Sequence, residues 1–119
     1  MNLPQTFTFG WSKAPLSLNY RFHYLKEAKI TRELRELMRV QAYLIEPVER
    51  CEVELVWIVA DRRRRDEENV VPTLKALCDG LVDAGVVQDD TPIFMRKLMP
   101  VVRYVKGEKA RFEFTIREA

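Results

Sequence analysis

The chain has 119 residues, with twenty basic and eighteen acidic side chains and a formal net charge of +2. That length fits one domain with a modest core, to which a second subunit would add buried surface. An apolar fraction of 47% excludes a disordered chain, and the near-balance of charge makes any nucleic-acid reading depend on where charge lies rather than on its total.

Residues 5–10, QTFTFG, alternate Phe7 and Phe9 with Thr6 and Thr8, which predicts a short strand with one buried face. Residues 11–25 follow Gly10, hold Pro, Ser and Asn, and read as an irregular loop. From about Glu27 to Ile45 the apolar positions Ile30, Leu34, Leu37, Met38, Leu44 and Ile45 follow helical spacing, and Glu46-Pro47 ends the helix. CEVELVWIVA, 51–60, is the strongest strand signal. Its first half alternates, and its second half is apolar on both faces, as in a central strand.

The arginine run follows at once. Asn69 then reads as an N-cap, with Val70, Val71, Leu74, Leu77, Cys78, Leu81 and Val82 at helical spacing behind it. Pro72 falls in the first turn, where proline is tolerated, and Gly85 is the expected stop. Residues 93–105 and 110–117 read as two strands joined by KGEK, 106–109, as a hairpin with Gly107 in its turn. The order is β-α-β-α-β-β. It predicts a single α+β domain over residues 1–119, with two helices packed on one face of a small mixed sheet.

Cys51 and Cys78 lie in apolar-patterned segments outside any CxxC, so buried free thiols in a reducing cytoplasm are expected. No apolar run approaches the roughly 20 residues of a membrane span, and the start MNLPQTFTFGW lacks a signal-peptide layout. A cytoplasmic protein is expected, with no membrane partner and no organic cofactor.

The stretch DRRRRDEEN, 61–69, sets four arginines against a cluster of carboxylates. The acidic set is Asp66, Glu67 and Glu68 before the second helix and Asp89 and Asp90 after it. A helix of that size is about 20 Å long, so the chain must fold back through GVVQDDTP, 85–92, for the two ends to meet. Three converging carboxylates would suit Mg²⁺, a hard ion with oxygen ligands that can activate water beside a phosphate. The competing reading is a helix N-terminus that carries acids because the macrodipole favours them.

Arg62, Arg63, Arg64 and Arg65 have two readings, phosphate binding or a solvated basic loop. Lys75 is either a cation near a scissile phosphate or half of a surface ion pair with Asp79, four residues on. Arg32, Arg35 and Arg39 make a basic stripe that Glu33 and Glu36 dilute, which favours a solvated face. The lone His23 cannot make a zinc site by itself. No Gly-rich phosphate loop, GxSxG or nucleophilic cysteine arrangement is present.

The segment DRRRRDEENVVPTLKALCDGLVDAGVVQDD, 61–90, resembles the RusA family of Holliday junction resolvases. Asp66 and Asn69 match the family's Asp-x-Asp-Asn after a basic run. Lys75 and Asp79 match its helix, and Asp89-Asp90 its closing acid pair. PLSLNYRFH, 15–23, resembles its N-terminal Pro-x-Ser-x-Asn segment. Glu68 stands where the family has aspartate, and VVP lengthens the front of the helix.

The resemblance implies a homodimeric endonuclease, dependent on Mg²⁺ or alternatively Mn²⁺, that nicks opposed strands of four-way junctions and other branched DNA. Asp66, Glu68 and Asp90 would bind the metal. Lys75 would assist at the phosphate, and Arg62 to Arg65 with Asn69 would hold the DNA. Phe94, Met95, Leu98 and Met99 are open to two readings, dimer surface or ordinary core. A junction-binding protein with weakened catalysis, and an interaction module of a phage recombination complex, are the alternatives.

Overall fold

A computed structural model describes residues 1–119. β1 (Gln5–Phe9), β2 (Cys51–Val59), β3 (Met95–Lys97), β4 (Val101–Tyr104) and β5 (Arg111–Glu118) form one mixed sheet. Two helices, α1 (Tyr24–Gln41) and α2 (Val71–Asp83), pack on one face of it. β5 runs antiparallel between β1 and β2, and β3 and β4 both run parallel to β2 on its other side. A parallel neighbour requires a crossover, and α2 supplies it.

The register explains the core. Val53, Leu55 and Trp57 of β2 lie opposite Ile116, Phe114 and Phe112 of β5 on the helix-facing side. Phe112, Phe114 and Ile116 are fully buried, each contributing about 1.5–3 kcal/mol of burial. Met38 of α1 and Leu74, Leu77, Cys78 and Leu81 of α2 close over them. The opposite face is mostly polar, with Thr6 paired to Thr115 by their hydroxyls and Arg111 paired to Glu113.

Gly80 sets the helix spacing. A Cβ there would lie 2.6 Å from Met38 Cβ and 2.7 Å from the Arg35 carbonyl, so α1 and α2 meet backbone against side chain. α2 ends as expected. Gly85 takes φ +80, its N–H bonds the Val82 carbonyl, and Val86 N–H bonds that of Leu81. Both cysteines are free and buried, and burial pushes the Cys51 thiol up to about 11 and that of Cys78 to about 12. No helix is long and apolar enough to cross a membrane.

Four local expectations need correction. First, β4 and β5 do not form a hairpin. Both pair with β2, which lies between them, so residues 105–110 arch over the end of β2. β2 is apolar on both faces in its second half, so it is buried best with a neighbour on each side. Secondly, residues 93–105 are not one strand. Leu98 to Pro100 interrupt it, and proline cannot donate to the ladder.

Thirdly, Asn69 is not the N-cap. Asp66 takes that role at a 3₁₀ turn (Glu67–Val70) that precedes α2, its carboxylate accepting from Glu68 N–H at 3.2 Å. Fourthly, α1 starts earlier and stops earlier than its apolar spacing suggested. His23 caps it, Nδ1 accepting from Leu25 N–H at 3.2 Å, and Leu44 and Ile45 follow it in a turn.

Candidate nucleic-acid interface

The arginine run leaves the carboxyl end of β2, and in open sheets with parallel strands ligands gather outside such ends. Its four members do different things. Arg62 lies over the Tyr104 ring at 4.8 Å, at the end of β4. Arg63 is almost fully exposed, 3.6 Å from Asp61. Arg65 turns inward. It pairs with the Asp61 carboxylate at 2.9 Å, donates to the Asp61 and Arg63 carbonyls, and lies over the Trp57 ring at 5.2 Å. The backbone N–H of Arg63, then the Arg65 guanidinium, hold the Asp61 carboxyl below its ordinary range. Neither Arg62 nor Arg64 makes a side-chain hydrogen bond or ion pair within the chain, and Arg64 lies over no aromatic ring either.

Arg64, Arg65, Asp66, Glu67 and Glu68 line a surface depression of about 440 Å³, closed on one side by Met99. One oxygen of Asp66 caps the 3₁₀ turn, and the Glu68 carboxylate has no partner in the chain. Arg65 apart, the depression therefore presents unpaired charges of both signs.

The other acids take a different course. After Gly85 the chain returns along α2 and brings Asp90 to Lys75 in the helix's second turn. Lys75 also pairs with Asp79 at 2.8 Å, the i,i+4 ion pair expected from spacing. Burial pulls the Lys75 ammonium down, but its hydrogen bonds to Asp79 and Asp90 outweigh that and leave it raised. Lys97 of β3 donates to the same Asp90 oxygen at 2.9 Å. Lys75 first, then Lys97, hold the Asp90 carboxyl well below the usual carboxylate range.

Asp66, Glu68 and Asp90 are not gathered into one cage. No group of three His, Cys, Asp or Glu side chains is placed to hold a metal ion. The physical reason is the pair of lysines: Asp90 is drawn to Lys75, and Glu68 lies seven residues earlier, about 10 Å back along the helical rise. The donor set as folded does not fit a divalent cation, because its three carboxylates do not converge and that of Asp90 is already paired with two ammonium groups.

Lys97 was missed from sequence. Alternation from Met95 would have found it, since Met95 and Lys97 lie opposite Cys51 and Val53, both helix-facing positions of β2. The role of residues 14–20 was also missed. Thr73, buried in α2, donates to the Leu16 carbonyl at 2.8 Å and accepts from Leu16 N–H at 3.1 Å. Leu18 N–H bonds the Asn69 carbonyl at 3.0 Å. This segment is thus strapped across the start of α2, with Ser17 and Asn19 beside Asp66.

Other residues fall outside the site. Arg35 is committed to Asp83 through two hydrogen bonds and Arg39 to Glu36, so two of the three arginines of the α1 stripe are paired within the chain. Met95 is core and Phe94 packs against it, whereas Met99 and Ile93 are exposed. No protein-family model matches the chain, and none of the curated proteins compared with it matches.

Proposed function

We propose that the chain is a structure-selective DNA endonuclease that resolves four-way junctions by paired nicks, acting as a two-fold homodimer in the cytoplasm. The observation that carries this reading is the return of Asp90 to Lys75, from the far end of α2 to its second turn. It brings the lysine and the closing acid of the motif onto one cluster. The depression with Glu68, Asp66 and Arg64 is the other half of the motif.

In this reading Lys75 and Lys97 attract the backbone phosphate, and Arg64 and Arg62 hold neighbouring ones. Such contacts give affinity without reading sequence. Glu68 and the free oxygen of Asp66 face the attacking water. A four-way junction has approximate two-fold symmetry, so two clusters related by a dyad match two opposed cuts, and closed two-fold dimers are the commonest assembly. Met99 and Ile93 supply exposed apolar surface for it.

One observation favours a second reading, a branched-DNA-binding protein without strong cleavage. Asp90 is held by two lysines and no three acids converge. Incubation with a labelled synthetic four-way junction, with Mg²⁺, with Mn²⁺ and with a chelator, tests both. Paired nicks support the endonuclease. A mobility shift with no nicks under any condition replaces it with the binding protein. No shift and no nicks leaves an interaction module and rejects both. Light scattering across a dilution series tests the dimer, which a monomer mass at cleaving concentrations would overturn.

A further inference from the structure

A second, smaller cavity of about 170 Å³ adjoins the depression and shares Arg64, Arg65 and Asp66 with it, but its Trp57 wall lies outside the motif. Trp57 lines it. The indole ring is already engaged, with Phe112 stacked at 5.2 Å and 12° and the Arg65 guanidinium over it at 5.2 Å. Its N–H is different, being buried without any hydrogen-bond partner in the chain. Such orphan donors are rare in folded proteins and mark places where something else accepts.

The other polar walls carry donors too. Arg64 and the Asn69 side-chain amide have no partner within the chain, and Asn19 uses only its amide oxygen, which accepts from the Ser17 hydroxyl. The one acid, Asp66, spends an oxygen on Glu68 N–H. The cavity therefore offers four unclaimed donor groups, one of them cationic, against a single free carboxylate oxygen on Asp66, and so is short of acceptors with negative charge.

A phosphodiester supplies that, with two unbridged oxygens and one charge. A nucleobase fits less well, because an extruded base needs an open aromatic face. Trp57 is covered as described. Tyr20, the other ring in the wall, packs against Phe22 at 5.1 Å and donates its hydroxyl to the Ala14 carbonyl.

We propose that this pocket is a subsite for one backbone phosphodiester of a nucleic acid, held by Trp57 Nε1–H, the Arg64 guanidinium and the side-chain amides of Asn19 and Asn69. The proposal rests on the nucleic-acid reading of the adjoining depression and is independent of whether the chain cuts. It places a phosphate contact under the strap formed by residues 14–20, next to Asp66.

The chain has two tryptophans, so its indole N–H region contains two NMR signals, and Trp57→Phe assigns them. The probe is thymidylyl-thymidine, whose single phosphate is a diester. Thymidine, inorganic phosphate and sodium chloride at matched ionic strength are the comparisons. The Trp57 signal is expected to move saturably with the dinucleotide while that of Trp11 stays. Arg64→Ala and Asn19→Ala should each weaken the response about three- to tenfold, with the remaining spectrum unchanged.

An equal movement with thymidine would make the cavity a base pocket and overturn the proposal. A response to inorganic phosphate alone would make it a free-anion site and overturn it as well. A stationary Trp57 signal, or one that follows chloride equally, removes the subsite. Junction nicking read on the same samples separates the two ideas. Nicks without movement of Trp57 sink the subsite and spare the endonuclease, and movement without nicks does the reverse.

Discussion

The two halves of the candidate site differ in how far their charges are spent. The Asp90 carboxylate and its lysines are paired with one another: two lysines share one oxygen, and Lys75 reaches Asp79 as well. Around Glu68 the charges are left open, with a carboxylate and Arg64 unpartnered beside one another. A paired cluster stabilises the fold by holding a loop to a helix. An unpaired one leaves its interactions available to a ligand. On the proposed endonuclease reading, the difference gives the Asp90 end a positioning duty and the Glu68 end the more reactive one.

Substitution can break that comparison. The largest expected effect is on cleavage. Glu68→Gln and Asp66→Asn should each lower junction nicking by about a hundredfold or more, the usual scale for a lost acid–base group, while a gel shift shows binding intact. Glu68→Asp should retain or raise activity. Equal rates for all these variants would make the open carboxylates bystanders.

Asp90→Asn should act on stability. At pH 7 it should lower the unfolding free energy in urea by about 1–2 kcal/mol, since two ammonium groups lose a charged acceptor. The pH dependence has a definite sign. The Asp90 carboxyl is held below its ordinary value in the folded chain. Its stabilisation is therefore present above the unfolded pKa and lost as pH falls through the folded one. The gap between wild type and Asp90→Asn should stay level from pH 7 to 5 and narrow only below about pH 4. A gap that widened in acid would contradict the pairing.

The arginines sharpen the contrast on a smaller scale. Arg65→Ala should lower the melting temperature by about 3–5 °C, because Arg65 ties the loop to Asp61 and covers Trp57. Arg64→Ala should leave melting unchanged and flatten the salt dependence of DNA binding by roughly one unit of log–log slope. Identical behaviour of the two variants would return the whole run to a solvated loop.

Much of the fold was legible because local patterns carry it. Alternation in QTFTFG and RFEFTIRE, the apolar run of β2, and Gly85 as a helix stop all act over a few residues. The β4–β5 arrangement was not legible in that way. KGEK turns, but whether two strands pair or flank a third depends on a partner fifty residues earlier.

In the site, the Lys75–Asp79 pair followed from spacing, whereas Lys97 and Trp57 needed the sheet register to be seen. Convergence of Asp66, Glu68 and Asp90 was implied by the family resemblance, and order along the chain left it open. Side-chain pairing with two lysines decided the outcome instead.

The Thr73 hydroxyl has a consequence for motion. Its two hydrogen bonds tie Leu16 to a helix 57 residues away, and this strap belongs to no helix or strand. Segments held by few bonds open locally at lower free energy than the sheet beneath them. The amides of Leu16 and Leu18 should therefore exchange with solvent deuterium faster than those of β2 and β5. Their exchange rate becomes a clock for how often the Trp57 cavity is uncovered. Thr73→Val, which keeps the shape and removes both bonds, should speed that clock without loosening the core.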